Sequence, residues 1–138
     1  MNFIPKSTNF LKLQKKKIKN LPTKNLNLVS GTFGLKATQN CFLTSKQIEM
    51  LKINLAKGTK KSGRYWIRVF PHFSVTSKPL EVRMGKGKGY VDHWVCKVKQ
   101  GSIICELIGL SQKQATSLLK KISLKLPTNT MFVSKFSC

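Results

Sequence analysis

Lys78, Arg83, Lys86 and Lys88 share the stretch from Lys78 to Gly89 with Gly85, Gly87 and Gly89. Glycine adopts positive φ without steric cost and lets main chain approach a ligand closely. A segment of this kind can bend to a surface and offer both cationic side chains and bare N–H donors. The chemistry that matches is contact with phosphate. The same composition also fits a flexible surface loop with no partner. A mononucleotide cradle does not fit: a Walker A loop needs G-x-x-x-x-G-K followed by Ser or Thr, and neither lysine is so followed. A dinucleotide fingerprint needs G-x-G-x-x-G opening a helix. Here the spacing is G-x-G-x-G, and Tyr90-Val91-Asp92 leads into a strand pattern.

Other reactive side chains are sparse and scattered. Acid–base or metal chemistry draws on clusters of Asp, Glu, His or Cys. Glu49, Glu81, Asp92 and Glu106 fall on separate elements, and His72 and His93 lack metal-ligand spacing. Glu81 is expected to brace Arg83 electrostatically. Cys41, Cys96, Cys105 and Cys138 form no C-x-x-C pair, so a zinc site is not expected and small buried hydrophobes are. Neither catalysis, nor a metal, nor a cofactor is expected.

The charge balance points to a polyanion. The 138 residues hold 26 Lys+Arg against 4 Asp+Glu, a formal net charge of +22. Self-repulsion of that size opposes compaction until it is neutralised, and nucleic acid gains further from counterion release. An anionic membrane surface is the second candidate, and an acidic protein the third. Arginine occurs only at Arg64, Arg68 and Arg83. Its planar fork suits shaped contacts, whereas lysine acts as a point charge. No apolar run reaches the ~18–20 residues that span a bilayer, and the first residues lack the apolar core of a secretion signal. Neither an aromatic pair of the kind that stacks bases in an RRM nor a G-x-x-G clamp is present, so structured RNA is favoured over single-strand reading.

The elements that position these groups can be outlined. Residues 1–28 read as a basic arm: Lys12, Lys15, Lys16, Lys17 and Lys19 are interleaved with Phe10, Leu11 and Leu13, and such a run orders on its partner. Residues 29–138 read as one domain. Val29 to Leu43 suggests two short strands. Thr44 and Gln47 form a capping box, with Ile48, Leu51 and Leu55 giving a helix to about Lys61 that Gly63 ends. Arg64 to Phe70 reads as a strand stopped by Pro71. Asp92–Lys99 and Ser102–Gly109 read as a hairpin about Gln100-Gly101, with Cys96 opposite Cys105, Trp94 opposite Leu107 and Val98 opposite Ile103. Trp66 and Trp94 are expected in the core. Ser111 and Gln114 make a second capping box, followed by the stripe Ala115, Leu118, Leu119, Ile122 and Leu126. Pro127 closes this helix, and Met131-Phe132-Val133 is the last strand. The expected class is α+β, two helices packed on a mostly antiparallel sheet.

Particular residues now carry a resemblance. Trp66-Ile67-Arg68-Val69-Phe70-Pro71, Thr76-x-Lys78-Pro79, Val82-Arg83-Met84-Gly85-Lys86-Gly87-Lys88-Gly89 and Trp94-Val95 closely resemble bacterial-type large-subunit ribosomal protein sixteen. Pro5-Lys6-x-Thr8, Phe33-Gly34-Leu35-Lys36-Ala37, Leu43-Thr44-x-x-Gln47-Ile48-Glu49 and Leu126-Pro127-x-x-Thr130-x-Phe132-Val133 extend the likeness over nearly the whole chain. The resemblance implies an α/β-hammerhead-like sandwich with a protruding glycine-rich loop. It implies a structural constituent of the large subunit that binds rRNA, touches neighbouring ribosomal proteins and helps shape the aminoacyl-tRNA site. The loop at 83–89 would reach towards the peptidyl transferase centre and the A-site tRNA. The expected RNA contacts are Lys6, Lys12, Lys15, Lys16, Lys17 and Lys19 in the arm, Lys36, Arg64, Arg68 and Lys78 in the body, and Arg83, Met84, Gly85, Lys86, Gly87, Lys88 and Gly89 in the loop. No homo-oligomer or membrane association is expected.

The arm departs from the family pattern, being rich in lysine and asparagine where arginine and glycine are usual, so its contacts transfer only as a region. The chain starts where family members start, which suggests no added transit peptide. The lysine-, asparagine- and isoleucine-rich composition, with three alanines, suggests coding in an A/T-rich organellar genome. The Met-Gly-Lys-Gly-Lys-Gly form favours a mitochondrial ribosome, with the plastid and the bacterial cytoplasm as alternatives.

Overall fold

A computed structural model describes residues 3–19, 22–60 and 63–135. The chain runs β1 (Phe33–Ala37), β2 (Cys41–Thr44), α1 (Ser45–Thr59), β3 (Arg64–Ile67), β4 (Phe73–Ser77), β5 (Tyr90–Val98), β6 (Ile103–Ile108), α2 (Gln112–Ser123) and β7 (Thr130–Ser134). The strands form two sheets, β3-β6-β1-β7 and β2-β5-β4, and every pairing is antiparallel. The expected α+β class holds, with two sheets in place of one.

Both helices begin where their capping boxes put them. The Thr44 amide donates to Gln47 Oε1 at 2.9 Å and the Gln47 amide to Thr44 Oγ1 at 3.3 Å. Ser111 and Gln114 repeat the exchange at 3.3 and 3.4 Å. Each box satisfies two donors that the first turn leaves free. Helix α1 ends at Thr59, a little before the expected end, and Lys61 lies outside the described residues. The Gly63 amide still reaches the Thr59 carbonyl at 3.2 Å, and a Cβ at Gly63 would crowd the Ile108 carbonyl. Gly58 is equally constrained, since a Cβ there would meet the side chain of Leu118 where the two helices cross.

The core lies between the helices and the sheets. Ile48, Leu51 and Leu55 from α1 meet Leu119 and Ile122 from α2, together with Leu35, Cys105 and Leu107 of the first sheet and Leu43, Cys96 and Val98 of the second. Of the two tryptophans expected inside, Trp94 is buried and Trp66 only partly so.

The expected hairpin between β5 and β6 does not form. These two strands are central in different sheets: β5 pairs with β2 and β4, and β6 with β1 and β3. Cys96 therefore stands opposite Leu43, and Cys105 opposite Leu35 and Ile67. A turn does occur, with the Ser102 amide bonded to the Lys99 carbonyl at 3.1 Å, but only its second central residue, Gly101, has positive φ (87°). Two-residue hairpins whose twist suits adjacent strands need positive φ at the first central residue. The following donors are also claimed elsewhere, Gly101 N–H by the Ala37 carbonyl at 2.7 Å and Ile103 N–H by that of Asn25 at 2.8 Å. Gln100-Gly101 thus turns the chain out of one sheet and into the other.

Strand β4 has no counterpart in the sequence reading, and the strand expected over 64–70 is confined to Arg64–Ile67. Phe-Ser-Val-Thr-Ser offers little apolar alternation, and β4 forms because β5 supplies its partner across twelve intervening residues. Thr44→Ala should lower unfolding free energy in urea by about 1 kcal/mol, and Leu51→Ala, at a fully buried site, by about 2–5 kcal/mol. A Leu51→Ala loss no larger than that of the cap would contradict the placement of α1 in the core.

Candidate nucleic-acid interface

Residues 78–89 connect β4 to β5 at one end of the second sheet. Every residue from Ser77 to Lys88 is exposed. Positive φ angles occur in succession at Gly85 (97°), Lys86 (53°) and Gly87 (83°). Gly85 and Gly87 have open space where a Cβ would go, so backbone conformation alone demands glycine there. Gly89 serves differently: a Cβ would run into the Ser77 carbonyl where the two strands meet. Lys78 Nζ donates to the Gly85 carbonyl and folds the segment back on its own base. No ion pair joins Glu81 to Arg83. Leu80 and Met84 stand fully in solvent beside these cations.

Residues 11–18 lie against the same sheet. Lys88 Nζ donates to the Leu13 carbonyl at 2.6 Å, Lys12 Nζ returns a bond to the Lys88 carbonyl at 3.1 Å, and Ser74 Oγ donates to the Leu11 carbonyl at 2.7 Å. The Lys12 ammonium also sits 5.2 Å from the centre of the Tyr90 ring. Farther along, Asn40 Nδ2 donates to the Ile18 carbonyl at 3.4 Å and Lys15 approaches the Phe42 ring at 6.0 Å. Lys16, Lys17 and Lys19 line a recess of about 610 Å³ with Lys97, whose ammonium lies 3.5 Å from the Phe73 ring centre. Lys12, Lys15, Lys16, Lys17, Lys19, Lys78 and Lys88 are therefore assembled by one sheet, with Arg83 and Lys86 beyond them.

The sequence reading missed Lys97 and Tyr90, which the β4–β5–arm packing brings in and which carry no local signal. Lys6 is exposed. Lys36 and Arg64 belong to β1 and β3, on the other sheet.

Arg68 is only partly exposed, and its guanidinium is engaged by other groups of the protein. Its Nε lies 2.6 Å from Glu106 Oε1, and Nη2 donates to Ser30 Oγ at 2.9 Å. Glu106 Oε2 accepts the consecutive amides of Val29, Ser30 and Gly31 at 3.3, 2.8 and 2.7 Å. Gly31 is needed there, because a Cβ would meet Glu106 Cβ and the Leu107 backbone. Burial pushes the Glu106 carboxyl upward, but the Arg68 guanidinium and the three amides outweigh it, and the group stays below the usual glutamate range.

The remaining titratable groups do not converge. Burial pushes the Cys41 and Cys105 thiols up to about 11 and about 12, so both are protonated at neutral pH and act as packing. Cys138 lies outside the described residues. His72 faces the Phe70 carbonyl and His93 the Asp92 carboxylate, at 3.1 and 2.8 Å. Among the described residues no cluster of three His, Cys, Asp or Glu could hold a metal.

The chain matches the family described as ribosomal protein L16p/L10e over residues 5–133. It belongs to the L16p/L10e family. The large ribosomal subunit protein uL16c of Emiliania huxleyi is 40% identical over 134 residues, covering 97% of each chain. Membership makes this a structural component of the large ribosomal subunit.

In an L16p/L10e chain with so few acids, Glu106 should govern acid stability. Its lowered pKa contributes stability that is present above the ordinary carboxylate range and lost as pH falls through the folded value. Glu106→Gln should flatten the decline in unfolding free energy below the usual glutamate range. Arg68→Ala, which leaves the buried carboxylate with its three amide donors alone, should cost about 1–3 kcal/mol at pH 7. An unchanged acid slope in Glu106→Gln would refute this account.

Proposed function

We propose that the chain binds large-subunit rRNA through the lysines of residues 1–28 and the domain of residues 29–138, and directs residues 83–89 towards the A-site tRNA and the peptidyl transferase centre. The observation that carries this is the exposed run from Ser77 to Lys88, whose cations meet no carboxylate among the described residues and whose base is tied to the lysine arm. Phosphate supplies the missing negative charge, and glycines at positive φ leave main-chain donors accessible to it. Neutralising many phosphates at once gives strong, salt-dependent binding. Met84, fully exposed between Arg83 and Gly85, would be covered in the bound state.

Arg64, Lys6 and Lys36 are proposed as backbone contacts away from the loop. For Arg68 the internal bonds to Glu106 and Ser30 support a positioning role, with the exposed quarter of its side chain left for RNA. The protein would act as a single copy among neighbouring ribosomal proteins. A membrane-surface alternative loses its apolar face, because Ala115, Leu119 and Ile122 of α2 are buried, and no helix is long and apolar enough to cross a membrane. The relative uL16c supports an organellar ribosome and favours the plastid alternative over the mitochondrial expectation.

The protein should co-sediment with large subunits at moderate salt, and its absence from them would end this reading. Arg83→Ala combined with Lys86→Ala should impair A-site tRNA accommodation more than subunit assembly. Unchanged translation in the double variant would contradict the placement of the loop.

A further inference from the structure

A recess without charged lining lies away from residues 11–18 and the 78–89 segment. It has a volume of about 540 Å³ and lies where the β1–β2 turn meets the α2–β7 connection. Gln39, Leu124, Leu126, Pro127, Asn129 and Thr130 are among the residues that line it, and none of its lining side chains is charged. In a protein of net charge +22 that is an unusual composition for a surface hollow. Its size falls within the roughly 300–1,000 Å³ of small-ligand sites.

Hydrogen bonds join the two segments that line the recess. Thr38 donates to the Asn129 carbonyl twice, from its amide at 3.0 Å and its hydroxyl at 2.8 Å, and Thr128 Oγ1 adds a third bond at 3.3 Å. These bonds tie the β1–β2 turn to the α2–β7 connection, so that Gln39 and Asn129 line the same recess. Both residues are exposed, and their carboxamides have no partner among the described residues. Thr130 Oγ1 is buried without a partner as well. Leu124, with 81% of its surface exposed, and Pro127 give an apolar edge. Lys120, Lys121 and Lys125, all exposed, flank the hollow from the end of α2.

We infer that this recess receives one unstacked adenine nucleotide of the RNA that the chain binds, an inference that rests on the rRNA-binding reading. Phosphate is read by cations, whereas base edges are read by amides, hydroxyls and apolar faces. The walls offer the second set and the rim the first. Asparagine and glutamine pair with adenine in bidentate fashion, donating to N7 and accepting from N6. Pro127 and Leu124 cover a ring face, and Lys121 and Lys125 neutralise the flanking phosphates.

The test compares two RNA pentamers, UUAUU and UUCUU, binding to the full chain. UUAUU should bind about fivefold or more tightly, the discrimination of one good bidentate contact against the wrong base. Gln39→Ala combined with Asn129→Ala should abolish that preference while leaving affinity for UUCUU unchanged. Should the double variant fold poorly, side-chain amide NMR of the wild-type protein decides: UUAUU should shift the Gln39 and Asn129 signals, and UUCUU should not. Equal binding of the two strands, or a preference kept by the double variant, would overturn the site. Failure of the wild-type chain to bind large-subunit rRNA would overturn the rRNA-binding reading itself, whereas rRNA binding without adenine preference removes only the recess.

Discussion

Glu106 is one of four acids in a chain of 26 strong cations, and its carboxylate is where the fold depends most on a single charge. Its side chain is 1% exposed in the middle of β6. A lone carboxylate in such a place would be strongly disfavoured. Here Arg68, just beyond β3, meets one oxygen, and the amides of residues 29–31 meet the other. Four donors from two distant parts of the chain thus converge on one group. The bonds to 29–31 fix the backbone immediately before β1. Removing a partner would leave a buried charge unmet, so this network is held as a unit.

The rest of the charge is arranged in the opposite way. Because Glu106 is internal, the surface cations have few acids to answer them, and they are gathered by backbone geometry. Lys12 and Lys88 each donate to the other's region of main chain, so two like charges lie close together without a carboxylate between them. An arrangement of this kind is costly in isolation and favourable beside a polyanion. The same sheet carries Lys97 and the arm lysines around a common recess. Fold and charge are therefore complementary: the acid that remains holds the scaffold, and the unanswered cations face outward.

Local chemistry was legible wherever it was decided within a few residues. Thr44-x-x-Gln47 and Ser111-x-x-Gln114 mark both helix starts, because a capping box closes within one turn. The glycines of 85–89 announce unusual backbone, and Gly85 and Gly87 adopt it. What failed was pairing. Gln100-Gly101 looks like a hairpin turn, yet strands β5 and β6 diverge because each is already bonded on both edges. Strand β4 was hidden for the same reason, since only its partner makes it a strand. Arg68 read as a surface contact because nothing nearby in sequence indicates Glu106, thirty-eight positions away.

The sequence by itself determined the charge excess, the helix starts, the glycine-bearing segment and, through motifs spread over most of the chain, the family. These are properties of composition or of neighbours along the chain, where spacing alone sets the physics. Tertiary structure decided which strands share a sheet, which arginine turns inward, and that the arm and the 78–89 segment meet through Lys12 and Lys88. It also decided that Gln39 and Asn129, far apart in the chain, face one recess. Each of those outcomes depends on hydrogen bonds between residues tens of positions apart. Such bonds form only once loop closure has been offset by burial of the common core.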